Sequence, residues 1–399
     1  MKTFIKFTII STLSLIIFFH NAFSSEKIKI GLIVPTSGIN SDLGNSIIKS
    51  VRLAINKIDD NRIEIIPKDT KSNPINSLRA SKELYDQGVR IVIGPVFNES
   101  VKYLDELEDM TFISLTNKIH GNPSNVISAG VNAISQINTI KKFKKLNNLE
   151  RSIFLIPKKY YKKEIDLAII KTNIKLKDKF YYDSDPTLLT AQIEKLTRYA
   201  QRKKNLEDEI ERLENSLDKN KEKKIENLKK KDTLGGINFD SVIIADFDES
   251  LKSVATSLLY TDVSSKRISY LTLNQWFDES LLKEPSLHPI YFPSINKENY
   301  DFFIDEYNNF YESKPNQISF LSYDLVGLVY YLIYKNDFKI SDNIFYKKNK
   351  FKGKIGIFEI NKNIITHQLN FYSVENNQFK KIFWFFWKQK IYDQFYIFY

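Results

Sequence analysis

The chain has no cysteine in its 399 residues. That excludes a disulfide framework, a thiolate metal site, a cysteine nucleophile and the lipid-modified N-terminal cysteine of exported lipoproteins. Histidine is nearly as scarce. Outside the N-terminal segment His120, His288 and His367 lie in separate stretches and form no metal-ligand spacing. A GxSxG elbow, a Walker loop and an HExxH helix are all missing, so no nucleophile and base converge, and a non-enzyme with no cofactor or metal is expected. The formal net charge is +11, carried mostly by lysine. It forms no basic stripe with interleaved aromatics, so nucleic acid is not an expected partner, although weak attraction to an anionic envelope polymer is allowed.

The N-terminus sets the expected compartment. Lys2 and Lys6 precede an uncharged stretch from Phe7 to Phe19, and Ala22 and Ser24 offer small residues for cleavage before Ser25. Residues 1–24 read as a secretory signal peptide, which implies the periplasm; the alternative is an uncleaved anchor, for which the apolar core is short. The remaining length exceeds one compact domain, so two lobes are expected.

Strand and helix patterns alternate from there. Ile28 to Val34 is a short apolar run broken by Pro35 and Gly38, and from Ser41 apolar residues recur at three- and four-residue steps to Ile58. Strands at 62–67, 89–93 and 111–115 follow, with a helix at 74–87 and a further helix opening at Asn98 whose free N–H groups suit an anion. Loops at the carboxyl ends of such strands are where ligands bind in open α/β sheets. Ser37, Asn98, Ser100, Thr116 and Asn117 are placed there.

The phrases KIGLIVPTSGINSDLGNSI, VRIVIGPVFNESV and TFISLTN resemble the first lobe of type I periplasmic binding proteins of the leucine/isoleucine/valine-binding class. LTLNQWFDESLLKEPSLHPIYFPS and FLSYDLVGLVYYL narrow the resemblance to the penicillin-binding protein activator family of proteobacteria. It implies an α/β fold of two Rossmann-like lobes with a cleft between them. Its first lobe would span 25–130 and 294–350, and its second lobe 131–293 with closing strands at 351–382. Crossings are expected near 131, 293 and 350. In amino-acid-binding relatives an aromatic packs on the ligand where Tyr160 or Tyr161 stands, and an acid pairs with the ligand's ammonium where Asp246 stands. The residues by themselves also read as a half-buried surface tyrosine and, for a lone acid at a strand end, a helix-capping aspartate. Trp276 covers the cleft or fills the core.

Two stretches depart from this rhythm. Between about 187 and 232 a charged segment carries Leu206, Ile210, Leu213 and Leu217 as a narrow seam, with Ile225 and Leu228 on a return arm. It reads as a helical hairpin, and its seam as a candidate partner surface. The end, residues 383–399, is strongly aromatic yet charged; an edge strand, an interfacial membrane contact and an unselected extension all stay open. The resemblance thus implies a regulator that docks on a peptidoglycan synthase, a penicillin-binding protein. The alternative is a receptor that delivers an amino acid to an ABC transporter permease.

Overall fold

The computed structural model describes residues 27–341, 344–362 and 364–383. The expected signal peptide, and the aromatic tail apart from Phe383, lie outside the described residues. The chain opens with β1 (Ile28–Val34), whose Ile30, Leu32, Ile33 and Val34 are almost wholly buried. Each such side chain contributes roughly 1.5–3 kcal/mol on leaving water, which makes this strand a core strand rather than an edge. It runs into α1 (Ser41–Ile58). Gly44 in the first turn is required sterically, because a Cβ there would sit 1.7 Å from the Pro35 carbonyl oxygen. Then come β2 (Ile63–Asp69), α2 (Pro74–Asp86), β3 (Ile91–Ile93), β4 (Thr111–Ser114) and β5 (Val126–Ser128).

The second lobe starts with α3 (Ala133–Leu146) and continues through β6 (Ser152–Pro157), α4 (Lys162–Thr172), β7 (Asp178–Tyr182), α5 (Pro186–Thr197), α6 (Tyr199–Glu214), α7 (Lys221–Lys229), β8 (Ser241–Ile244), α8 (Asp248–Tyr260), β9 (Ser269–Thr272) and β10 (Ile290–Ser294). The chain returns to the first lobe as α9 (Lys297–Tyr311), α10 (Gln317–Lys335), β11 (Asn349–Lys352), β12 (Ile357–Asn361) and β13 (Ile364–Gln368). It ends in the second lobe as β14 (Asn370–Glu375) and β15 (Gln378–Phe383). Asn73, Asn132, Asp185, Asn296 and Asn316 each cap a helix by accepting N–H bonds from its first turn.

The strands form two sheets, in the orders β11-β12-β13-β5-β4-β3-β1-β2 and β15-β14-β10-β9-β8-β6-β7. Neighbours are parallel from β13 to β2 and from β10 to β7; β11, β12, β14 and β15 add antiparallel pairs. This is the two-lobe type I periplasmic binding protein fold. Against the sequence expectation, residues 351–368 close the first lobe and not the second. Ile364 pairs with Ser128, and Phe358, Ile360 and Ile365 are buried in the first lobe's core. The third crossing therefore falls at the buried Leu369 rather than near residue 350.

Three further expectations change. No α-helix follows β3: the chain makes short 3-10 turns at Asn98–Val101 and Leu104–Glu106, so the expected helix N-terminus for an anion is absent there. The charged excursion does not begin near 187. α5 packs on α8 and buries Leu189, Ile193 and Thr197, so it belongs to the body of the lobe. The excursion begins at Tyr199, after Arg198 turns the chain with φ 54°.

The crossings are tied together. Gly130, on the first crossing, lies against the end of β4, where a Cβ would meet the Thr116 carbonyl oxygen at 2.6 Å. The His367 ring bonds the Ala129 carbonyl at 2.8 Å, and Tyr372 Oη donates to the Ile295 carbonyl at 3.0 Å while accepting from the Lys297 N–H at 2.9 Å. Phe277, Phe292, Tyr372 and Phe379 of the second lobe pack as an aromatic group to which Tyr300 of α9 adds its ring.

Candidate functional site

The carboxyl ends of both parallel sheets face one another across a cleft of about 1730 Å³. Asn98, Thr116 and Asn117 line it from the first lobe, and Tyr160 and Trp276 from the second. Tyr160 is almost fully exposed, with its ring edge-on to Tyr161 at 5.2 Å. Trp276 and Phe277 both hold positive φ, 50° and 60°, in the loop after β9. Such backbone is costly for bulky residues and is sustained here by the Trp276 N–H bond to Asn274 Oδ1 and by the packing of Phe277. The Trp276 carbonyl accepts from Gln317 Nε2 of α10 at 3.3 Å, a contact across the cleft. A second one joins Glu164 of α4 to the loop after β4: its carboxylate accepts from the Ile119 N–H at 3.0 Å and pairs with the His120 ring.

Three expected site residues, Ser37, Ser100 and Asp246, lie outside the cleft lining. Ser37 is outside the cleft lining; its hydroxyl donates to Asp69 Oδ2 at 2.5 Å, and Asp69 also accepts the Thr36 N–H, so this loop is tied to the end of β2. Ser100 is buried at 1% exposure, outside the lining, in its 3-10 turn. Thr116 does line the cleft, but its Oγ1 already accepts the Lys118 N–H at 3.2 Å.

Asp246 is the most informative departure. It sits just past β8 with 1% exposure and does not line the cleft. Its Oδ1 takes Lys159 Nζ at 2.6 Å, Tyr161 Oη at 3.2 Å and the Phe247 N–H at 3.1 Å; its Oδ2 takes Tyr182 Oη at 2.9 Å. Burial, reinforced by the Asp246 charge, pushes both phenols up, so they stay protonated and donate. The carboxylate is thus paired and hydrogen-bonded on both oxygens by its own chain. It neither caps α8, whose N-cap is Phe247 without a side-chain bond, nor offers an acid to a bound ammonium. Lys159 stands where such an ammonium would pair. Nothing in the sequence LIPKKYY separates Lys159 from Lys158 as the one that turns inward.

Two polar atoms at the cleft are buried without a partner: Asn98 Oδ1 and Asn274 Nδ2, the latter on a residue only 3% exposed. Asn274 is held by its own N–H to Gln136 Oε1 and by Oδ1 accepting from Ser294 Oγ. Asn98 Oδ1 can accept and Asn274 Nδ2 can donate, so the pair suits a polar group that both donates and accepts hydrogen bonds, and among the described residues no cluster of His, Asp or Glu has the form of a metal site.

The hairpin residues divide. Leu206 and Leu213 are buried and Ile210 is half-buried, because α6 lies against its own return arm α7. Only Leu217, at the tip, is fully exposed. The base is locked by Arg202, which is 4% exposed and donates to the Thr197 carbonyl and Thr233 Oγ1 at 3.0 Å each, and to the Thr261 carbonyl.

A family model described as "Periplasmic binding protein" matches residues 27–156. No curated protein matches the sequence. Among solved structures, a putative branched-chain amino acid ABC transporter protein from Rhodospirillum rubrum aligns with TM-score 0.65 at 12% identity, over 89% of this chain and 100% of that one. The C-domain of LpoA from Haemophilus influenzae, a regulator of PBP1A, aligns with TM-score 0.59 at 11% identity, over 89% and 100%. LivJ from Streptococcus pneumoniae, in complex with isoleucine, aligns with TM-score 0.54 at 17% identity, over 90% and 99%. At these identities the likeness establishes the fold, and the fold is used by both binding proteins and a regulator.

Proposed function

We propose that this is an exported, non-enzymatic envelope protein that regulates a peptidoglycan synthase by docking on it. The observation that carries the reading is the saturation of Asp246 by Lys159, Tyr161 and Tyr182. A zwitterionic amino acid needs an anionic group for its ammonium, and removing one from water without a partner costs several kcal/mol. The second lobe's buried acid is paired with its own lysine; of its acids that line the cleft, Glu164 and Asp278 already accept backbone N–H bonds, and Asp248 and Glu279 are exposed to solvent. The regulatory reading is supported by the likeness of the fold to the LpoA C-domain, a regulator of PBP1A.

The test has two arms. Isothermal titration calorimetry against the common amino acids is expected to give flat traces, and the glycan-polymerising synthase of the same cell is expected to co-purify with the protein and be stimulated by it. Saturable heats with an amino acid, together with no effect on the synthase, would overturn the proposal in favour of the ABC-transport reading. One observation favours that second reading: the unpartnered amides of Asn98 and Asn274 in the cleft. Asn98 Oδ1 would accept from a ligand there and Asn274 Nδ2 would donate to it.

A further inference from the structure

The hairpin is charged asymmetrically. From Glu207 to Asp218 six acids stand against the single Arg212, whereas from Lys219 to Lys231 seven lysines stand against two glutamates. The outer part of the first arm, beyond Arg202, Lys203 and Lys204, is acidic, and the second arm is basic. On α7 the half-buried Ile225 and Leu228 face α6, and Lys223 and Lys224 recur two turns later as Lys230 and Lys231, all four exposed. Together they form an outward stripe two lysines wide. Lys224 pairs with Asp218 and Lys230 with Glu226, while no ion pair engages Lys219, Lys223 or Lys231 among the described residues. At the tip, two residues from Lys219, stands the fully exposed Leu217.

We infer that the basic arm of the hairpin docks on an anionic phospholipid surface. Charge complementarity selects an anionic occupant, and the residue types select a bilayer over an acidic protein. A protein interface is built around buried aromatic or arginine anchors, and this arm has neither. Lysines are hydrated point charges that attract without a fixed geometry, which is what a fluid headgroup layer offers, and an apolar side chain at the edge of such a stripe enters the interface. The acidic arm turns away from the same surface and fixes the approach. Locking by Arg202 makes the hairpin a fixed prong on the second lobe, so lipid contact there would orient the whole molecule. The inference goes beyond the synthase reading and does not rest on it.

The test is vesicle co-sedimentation of the purified protein, in the form the cell accumulates, with no synthase present. Vesicles of phosphatidylcholine alone are compared with vesicles containing one-third phosphatidylglycerol. Binding is expected only to the anionic vesicles, and it should fall with rising salt. The Lys219→Glu/Lys223→Glu/Lys231→Glu variant should bind on the order of a hundredfold more weakly, since each lysine near an anionic surface contributes about a factor of five. Glu207→Gln/Glu211→Gln, on the acidic arm, should bind at least as well as the unaltered protein; circular dichroism checks that both variants keep their helix content. Equal binding to both vesicle types, unchanged binding by the lysine variant, or binding to an acidic protein or anionic glycan but to no vesicle would each overturn the inference.

Discussion

His367 provides a quantitative test of how the lobes are stapled. The ring is 4% exposed on β13, its Nε2–H bonds the Ala129 carbonyl on the first crossing, and its backbone N–H bonds Ser135 Oγ on α3. Burial holds the imidazole down from 6.5 to about 4, against the small upward pull of the neighbouring carbonyls. The sign follows from linkage. A depressed folded-state value contributes stability that is complete above 6.5 and is lost as pH falls toward 4, because the unfolded chain takes up a proton that the folded chain refuses. Between pH 7.5 and pH 5 the loss is about 2 kcal/mol, roughly a thirtyfold change in the unfolding constant. Asp324 acts oppositely. Burial raises its carboxyl to about 7, so its contribution is complete below 3.8 and is lost as pH rises through 7. The diagnostic quantity is therefore a difference between two proteins. His367→Gln keeps an amide donor within reach of Ala129 and removes the titration. Urea unfolding at both pH values should show the unaltered protein losing about 2 kcal/mol more than the variant on acidification. Parallel losses in the two proteins would refute the reasoning.

Two more outcomes follow from the same geometry. Lys159→Met strands the Asp246 carboxylate with two phenols and one N–H, so it should cost about 2 kcal/mol, and adding Asp246→Asn should recover most of that; a double-mutant cycle with no coupling would remove the self-pairing argument. Gly130→Ala places a Cβ against the end of β4, so it should cost roughly 1–3 kcal/mol by thermal unfolding, and an unchanged melting temperature would mean that the crossing moves at no cost.

Much of the first lobe was legible because β1, β3 and β4 are compact apolar runs with a turn signal after each: IKIGLIV into Pro35, VRIVIG into Pro95, TFISL into Thr116. The later strands were harder. β11, β12 and β13 alternate apolar with Lys, Glu, Asn and His, as half-exposed antiparallel strands do, and nothing local in such a strand names the sheet that it joins. Its lobe is decided by a distant partner, here the pairing of Ile364 with Ser128. β7 and β5 were not anticipated, since FYY and VIS are too short to show a period. The same limit applied at the site. Asn98, Thr116 and Tyr160 could be placed from their positions after strands, whereas the fate of Asp246 depended on Tyr182 and Lys159, which approach it from the ends of two other strands. A carboxylate's availability is a property of its neighbours, and those neighbours lie 64 and 87 positions away.

The hairpin shows how far a seam at heptad spacing can be read. Leu206, Ile210, Leu213 and Leu217 have the spacing of a helix that packs on another helix, and the sequence leaves the identity of that other helix open. Here most of the answer is intramolecular. Ile225 and Leu228 on α7 face the seam, and Arg202 closes its base, so Leu206 and Leu213 have no surface left to offer. Ordering some thirty residues costs about 1 kcal/mol each in backbone entropy, and a seam this narrow returns only part of it, with the helical hydrogen bonds returning more. What remains available to a partner is the outside of the hairpin, where shape is uniform and charge is not. Any partner of this segment must therefore read charge first. That condition separates a lysine stripe from the leucine seam, and it makes reversal of surface lysines, rather than truncation of leucines, the perturbation that distinguishes docking from folding.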